Sequence, residues 1–233
     1  MKRIAISQSN YIPWKGYFHV IGSVDNFVLY DEVQYTRRDW RNRNVIKTER
    51  GPRWLSVPVQ VKGRYDQRID ETLVVDTGWA TSHWGAIKQA YSRAAHFDAV
   101  APAFESYFRT VDRERLSDIN RDLIELVMNT VGIRTQLHWS TEFPVLTTDR
   151  TDRLVSICQQ AEADEYWTGP AAKAYLDETR FARAGIALHY VDYPDFPEYP
   201  QLHGDFMHSV SVLDVLFNAG SDIARLLALD SGQ

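Results

Sequence analysis

At 233 residues, with 44% apolar and 24% charged side chains, the chain is long enough for a sizeable core and too apolar for a disordered or fibrous class. Its formal net charge of -5 argues against a general nucleic-acid binder but leaves room for a local basic patch that holds one phosphorylated ligand. A single cysteine, Cys158, excludes an intrachain disulfide and reads as a small buried residue in a reducing compartment.

No run approaches the roughly 20 apolar residues that span a bilayer, and Met1-Lys2-Arg3 leads straight into a short strand rather than a signal-peptide core. The expectation is a cytoplasmic protein with no membrane span. Seven Trp and twelve Tyr exceed what packing usually needs, and rings with one polar end suit a sugar or base pocket.

In chain order, Arg3 to Ser7 reads as a buried strand, followed by a turn signal at Ser9-Asn10. Pro13 and Gly16 open a helix whose apolar spacing runs over Trp14, Tyr17, Phe18 and Ile21. Phe27 to Tyr30 is a second strand ending on Asp31-Glu32. Strand, turn, helix and strand make a βαβ unit with Tyr11 to Gly16 at the carboxyl end of its first strand, where open parallel sheets bind ligands. From Arg37 to Arg53 the chain turns basic. The stretch from Trp54 to Val61 alternates as an edge strand around Pro58, and Tyr65 to Val75 is its expected antiparallel partner. Helices are expected over Gly78 to Ala95, about Ala103 to Arg109, and Leu116 to Thr130, the last ended by Gly132.

The second half alternates again. Thr135 to Trp139 reads as a strand, a helix starts at Thr151 as its cap, Glu165 to Gly169 is a strand into a turn, and Ala171 to Ala184 a helix. Ile186 to Asp192 is the last strand, Pro194 to Pro200 an ordered aromatic loop, and Val212 to Leu229 a helix broken near Gly220. The expected fold class is α/β: a three-layer fold with a largely parallel sheet, as one domain over residues 1–233 with a small β/α insertion at about 50–130.

Several residue groups carry candidate chemistry. Arg38, Arg41 and Arg43 beside Trp40 combine forked donors with a ring that stacks, which suits a diphosphate joined to a base or sugar; the competing reading is a solvated basic loop. Lys15 and Gly16 place a cation and exposed backbone N–H groups at a helix opening, an arrangement that suits phosphate. Lys173, after Thr168-Gly169, offers the same at a second turn. Asp31 and His83 are the candidate catalytic residues, as a general base or an anchor for a hydroxyl, against the structural readings of a hydrogen-bonded carboxylate and a core histidine. His203 and His208, five positions apart without a third ligand nearby, do not make a metal site. No nucleophile elbow, P-loop or dinucleotide fingerprint is present, so hydrolase, P-loop and dinucleotide readings fall away.

The residues Gln8, Tyr11, Pro13, Gly16 to Phe18, Tyr30-Asp31, Gln34, Arg38, Trp40, Asn42-Arg43, Thr168-Gly169, Ala174-Tyr175 and the closing run Ser211 to Asn218 resemble the WbqC-like family along nearly the whole chain. That family is defined mainly by its occurrence in bacterial surface-polysaccharide gene sets. The resemblance implies a protein that modifies or handles a sugar-linked intermediate, and it supplies no catalytic residue. The run from Ser9 to Tyr17 is also similar in layout to the first motif of nucleotidyltransferase-type α/β folds, with Thr168-Gly169 where such folds carry their second phosphate-binding motif. Those folds have a His and a Gly-His pair at the first motif, whereas this chain has Trp14-Lys15 and Tyr17; nucleotidyl transfer is therefore disfavoured while a nucleotide-shaped site remains.

Two functions follow from these readings. One is a transferase or ligase that modifies an amino sugar, nucleotide-linked and with an aminoacyl group as one candidate donor, in O-antigen or other surface-glycan biosynthesis. The other is a non-catalytic module that binds a nucleotide sugar or a partner enzyme. The ligand is a phosphorylated or sugar small molecule, with a nucleotide or nucleotide-linked sugar the candidate cofactor. The sugar, the donor and the oligomeric state stay open.

Overall fold

The computed structural model describes residues 1–76, 78–220 and 223–229. Five parallel strands form one sheet: β1 (Arg3–Ser7), β2 (Asn26–Leu29), β5 (Gln136–Trp139), β6 (Glu165–Thr168) and β7 (Ala187–Tyr190), in the order β5-β2-β1-β6-β7. Between β2 and β5 the chain forms a hairpin of β3 (Arg43–Thr48) and β4 (Gly51–Ser56), then helices α2 (Trp79–Tyr91), α3 (Phe97–Thr110) and α4 (Leu116–Val131).

The side-chain period of two sorts the strands into two faces. Ala5, Phe27 and Leu29 point toward a core shared with α1 (Lys15–Gly22), α2 to α4 and the last helices, α7 (Leu213–Ala219) and α8 (Ile223–Leu226). Ile4, Ile6 and Val28 point the other way, onto α5 (Arg150–Gln160) and α6 (Glu178–Arg183). Helices on both faces of a parallel sheet make the three-layer α/β fold that the alternation predicts. From β1 the chain moves through α1 to β2, but β6 and β7 lie on the other side of β1, so the strand order reverses between β1 and β6.

Several local expectations need correction. The partner of β4 is Arg43–Thr48, not Tyr65 to Val75: Asn44, Val45, Ile46 and Lys47 are buried in a row, and Gly51 takes the positive φ of 96° that the tight reversal requires. The expected antiparallel pairing of the two stretches is kept only around Val59 with Val74, where Gln60 N donates to the Leu73 carbonyl and Val75 N to that of Pro58; residues 65–75 otherwise bridge Gln34 with Arg68 and Leu73 with Arg115. Helix α3 begins at Phe97 and runs through Pro102, because its buried face of Phe97, Ala101, Phe104 and Phe108 outweighs the one missing backbone donor. Asp149, not Thr151, caps α5, its carboxylate accepting from the backbone N–H groups of Thr151 and Asp152. The helix expected over Ala171 to Ala184 is split into a 3-10 turn (Pro170–Ala174) and α6, which Asp177 caps afresh. The expected break near Gly220, by contrast, is present: α7 ends at Ala219, Gly220 adopts a φ of 54° and α8 follows from Ile223, with positions 221 and 222 outside the described residues.

Candidate functional site

The turn after β1 is built by groups distant in sequence. Asp31, at the end of β2, accepts from Ser9 N at 2.8 Å, Ser9 Oγ at 2.7 Å and Ser117 Oγ of α4 at 2.6 Å. Asn120 donates to Ser9 Oγ at 2.9 Å and to the Arg41 carbonyl at 2.9 Å. Ile12 is held at a φ of 39°, a conformation that is costly for a β-branched residue and persists only where the surroundings over-determine it. Asn44 of β3 supplies that constraint, donating to the carbonyls of Tyr11 at 3.1 Å and Ile12 at 2.8 Å.

Trp14 precedes α1, and its indole folds back over Gly16: a Cβ on residue 16 would lie 2.3 Å from the ring. The same indole sits 5.4 Å from Tyr193 and 5.8 Å from Phe196, centroid to centroid. It thus separates two openings. Toward the sheet, a cleft of about 310 Å³ lies over the carboxyl ends of β1 and β6, lined by Gln8, Asn10, Tyr17, Thr168, Gly169 and Tyr193 among others. Toward the hairpin, a pocket of about 350 Å³ lies between Trp14 and Trp40, with Asn10, Pro13, Asn44, His208 and Ser209 completing its walls. The first is the position where open parallel sheets place ligands, at the reversal of strand order.

The candidate residues distribute unevenly around these openings. Gln8, Thr168 and Gly169 line the cleft, and the turns carrying Gly16 and Gly169 stand on the same edge because β1 and β6 are parallel neighbours. Arg41 is drawn to the turn, donating to the Ser9 carbonyl at 3.3 Å and to the Asn10 side chain. Trp40 reaches it too: its carbonyl accepts from Tyr11 N at 3.0 Å, while its ring, 44% exposed, packs 5.4 Å from Trp54. Arg43 turns away, its guanidinium 4.1 Å from the Trp54 ring centre and donating to the Arg38 carbonyl. Arg38 is exposed and carries a φ of 59°. Lys173 is exposed, its ammonium 4.9 Å from the centre of the Tyr190 ring.

Lys15 is 3% exposed. Its amine lies 5.0 Å from the ring centre of Phe196 and 5.5 Å from those of Tyr199 and Phe206, and 3.0 Å from His208 Nδ1. Burial lowers its pKa from the ordinary lysine value, against the opposing pull of Asp214 and Glu198. The expected phosphate contact at the helix opening is thus replaced by an aromatic cage supplied by the segment between β7 and α7.

Neither candidate catalytic group lines the cleft or the pocket beside Trp14. Burial raises the Asp31 pKa although three donors and Arg41 favour its charged form, and the carboxylate ties β1, β2 and α4 together. His83 lies in the core with its Nδ1 2.7 Å from the Tyr11 hydroxyl, and burial pushes its pKa down to about 4. Tyr11 is fully buried, so its ring belongs to that core pair and not to a ligand wall. Sequence reasoning passed over Asn10, Asn44, Tyr193 and Ser209 as site residues. The Pro- and aromatic-rich run from Pro194 to Pro200, whose Phe196 packs on Trp14, is the sequence signal in this region.

The model of the WbqC-like protein family matches residues 8–225. Uncharacterized protein Rv1507c of Mycobacterium tuberculosis is 47% identical over 222 residues, covering 95% of this chain and 96% of its own length. No solved structure matches the chain significantly. Among the described residues no helix is long and apolar enough to cross a membrane.

Proposed function

From the premise that the chain belongs to the WbqC-like protein family, we propose that it is a cytoplasmic transferase or ligase that modifies a nucleotide-linked amino sugar, by aminoacyl or related acyl transfer, for a bacterial surface glycan. The observation that carries this reading is the cleft at the strand-order reversal, where the turns after β1 and β6 face one edge and aromatic walls stand beside polar backbone. The nucleotide would lie over Gln8, Thr168 and Gly169, with Arg41, held to Ser9 and Asn10 of the first turn, and the exposed Lys173 after the second as its candidate cations. This reading extends the nucleotidyltransferase-like layout of the first motif to a site that has kept its shape and changed its chemistry.

A second reading, a nucleotide-sugar binding module without catalysis, is favoured by one specific observation: Asp31 and His83 both spend their hydrogen-bonding capacity inside the fold. A thermal-shift series with UDP-, dTDP- and GDP-linked sugars, followed by mass analysis of reactions containing ATP and amino acids, separates the two. Stabilisation with a new acylated sugar supports the enzyme. Stabilisation without product supports the binding module, and no stabilisation by any nucleotide sugar overturns both.

A further inference from the structure

The pocket between Trp14 and Trp40 has a chemical character different from the cleft. We propose that it is a sugar subsite, which takes an uncharged pyranose ring against the two indoles and hydrogen-bonds its hydroxyls through Asn10, His208 and Ser209. The proposal rests on the preceding reading only in treating the neighbouring cleft as the nucleotide's place.

Composition of the wall is the first argument. Two indoles, a proline, two carboxamides, a hydroxyl and an imidazole line the pocket, and no carboxylate, ammonium or guanidinium does. Such a wall offers flat apolar faces for the C–H side of a ring and neutral donors and acceptors for its hydroxyls, and it offers a phosphate no cation. A volume of about 350 Å³ lies within the range of small-molecule sites.

Unused polar atoms are the second. Asn10 Oδ1 accepts from Arg41, which leaves its Nδ2 without a protein partner among the described residues. His208 Nδ1 is held by Lys15, while among the described residues neither its Nε2 nor the Ser209 hydroxyl has a hydrogen-bond partner. The Asn44 carboxamide, by contrast, is fully engaged with Tyr11, Ile12 and Val45 and serves as a rigid wall. Preorganisation is the third argument: Trp14 is seated over Gly16 and Trp40 against Trp54, so both faces are set before a ligand arrives. Because Asn10 and Trp14 also line the cleft, a ring in this pocket lies beside whatever the cleft holds.

Saturation-transfer NMR on the full chain tests this, with the uncharged sugars N-acetylglucosamine and methyl glucoside and, in a separate sample, UDP. Transfer to sugar-ring protons is expected in the wild type and should weaken about tenfold in Trp40→Ala. Trp40 is substantially exposed, so the variant should fold; Tyr65→Ala, which removes an exposed ring that lines neither the pocket nor the cleft, should leave the signal unchanged. Absence of transfer to both sugars, or transfer that survives Trp40→Ala, overturns the subsite. So does a Trp40→Ala variant that loses UDP instead of sugar, which would assign the pocket to the base. If the wild type shows transfer to the sugars but none to UDP, the subsite stands and the nucleotide reading of the cleft fails.

Discussion

The amine of Lys15 and Nδ1 of His208 lie 3.0 Å apart although 193 positions separate them. This contact joins the turn after the first strand to the segment that enters the last long helix, and Phe196, Tyr199 and Phe206 enclose it. A cation–π cage of this kind is worth about 0.5–2 kcal/mol as it is desolvated. Lys15→Met keeps the stem and removes the charge, so it should lower stability by ~1 kcal/mol and speed amide exchange across residues 196–208. Hydrogen-exchange mass spectrometry would read this, and unchanged exchange in that segment would contradict the anchoring role.

His83 sets an acid limit on stability. Its pKa is about 4 in the folded chain against 6.5 as an ordinary histidine, because burial penalises the charged ring. A lowered histidine pKa contributes stability that is complete above 6.5 and is lost as pH falls toward 4, amounting to about 3 kcal/mol at most. Asp31 and Asp214, both raised by burial, run the other way: their contribution is complete below the ordinary carboxylate range and fades as pH rises through the raised values. Urea unfolding of the wild type between pH 4 and 6.5 should therefore be compared with His83→Gln, in which the rise across that window should flatten. An equal rise in both proteins would remove His83 as its source.

Gly16 and Trp14 should behave as a coupled pair. The Cβ of Gly16→Ala would meet three atoms of the indole at 2.3–2.8 Å, so the ring must move. Overpacking of this kind costs about 1–3 kcal/mol. Trp14→Ala removes the obstacle, and the double variant should lose less stability than the sum of the singles. Additive losses would show that the indole does not occupy this position in solution.

The arginines should differ in their effect on nucleotide-sugar binding. Arg41 is drawn to Ser9 and Asn10 beside the cleft, whereas Arg43 lies over Trp54 and donates to the Arg38 carbonyl. Arg41→Ala should weaken binding about tenfold in calorimetric titrations, the loss of one charge-assisted contact. Arg43→Ala and Arg43→Lys should both stay near wild type. The opposite ranking would mean that Arg43 leaves Trp54 to hold the ligand.

How far the fold could be read from sequence depended on the range of the interactions involved. β1 and β2 were legible as short apolar runs closed by turns, the later strands from their alternation with helices, and α4 because Gly132, at a φ of 79°, ends a strongly amphipathic segment. The hairpin was not: Arg43 and Lys47 mask the apolar residues of Arg43–Thr48, and the chemistry of charge was read where strand pairing dominates. For the site, Gln8, Thr168 and Gly169 followed from strand ends alone. Asp31 looked like a base at the end of a strand because the group that buries it, Ser117, is 86 positions away. Lys15 looked like a phosphate ligand because its cage comes from the far end of the chain. Local pattern locates a turn; only tertiary structure says which of its side chains are already occupied.

The central pair of the sheet carries a consequence for biosynthesis. Arg3 is in register with Glu165, and Lys2 donates to Asp164 across 162 positions of chain. During translation the amino-terminal βαβ unit leaves the ribosome long before either flanking strand exists: β2 must wait for Gln136 to Trp139 and β1 for Glu165 to Thr168. Both edges of an apolar strand pair are therefore bare while most of the protein is still being made, the condition under which nascent chains aggregate or engage chaperones. Truncations that end before β6 should be insoluble, and full-length protein should gain soluble yield when elongation is slowed or chaperones are supplied.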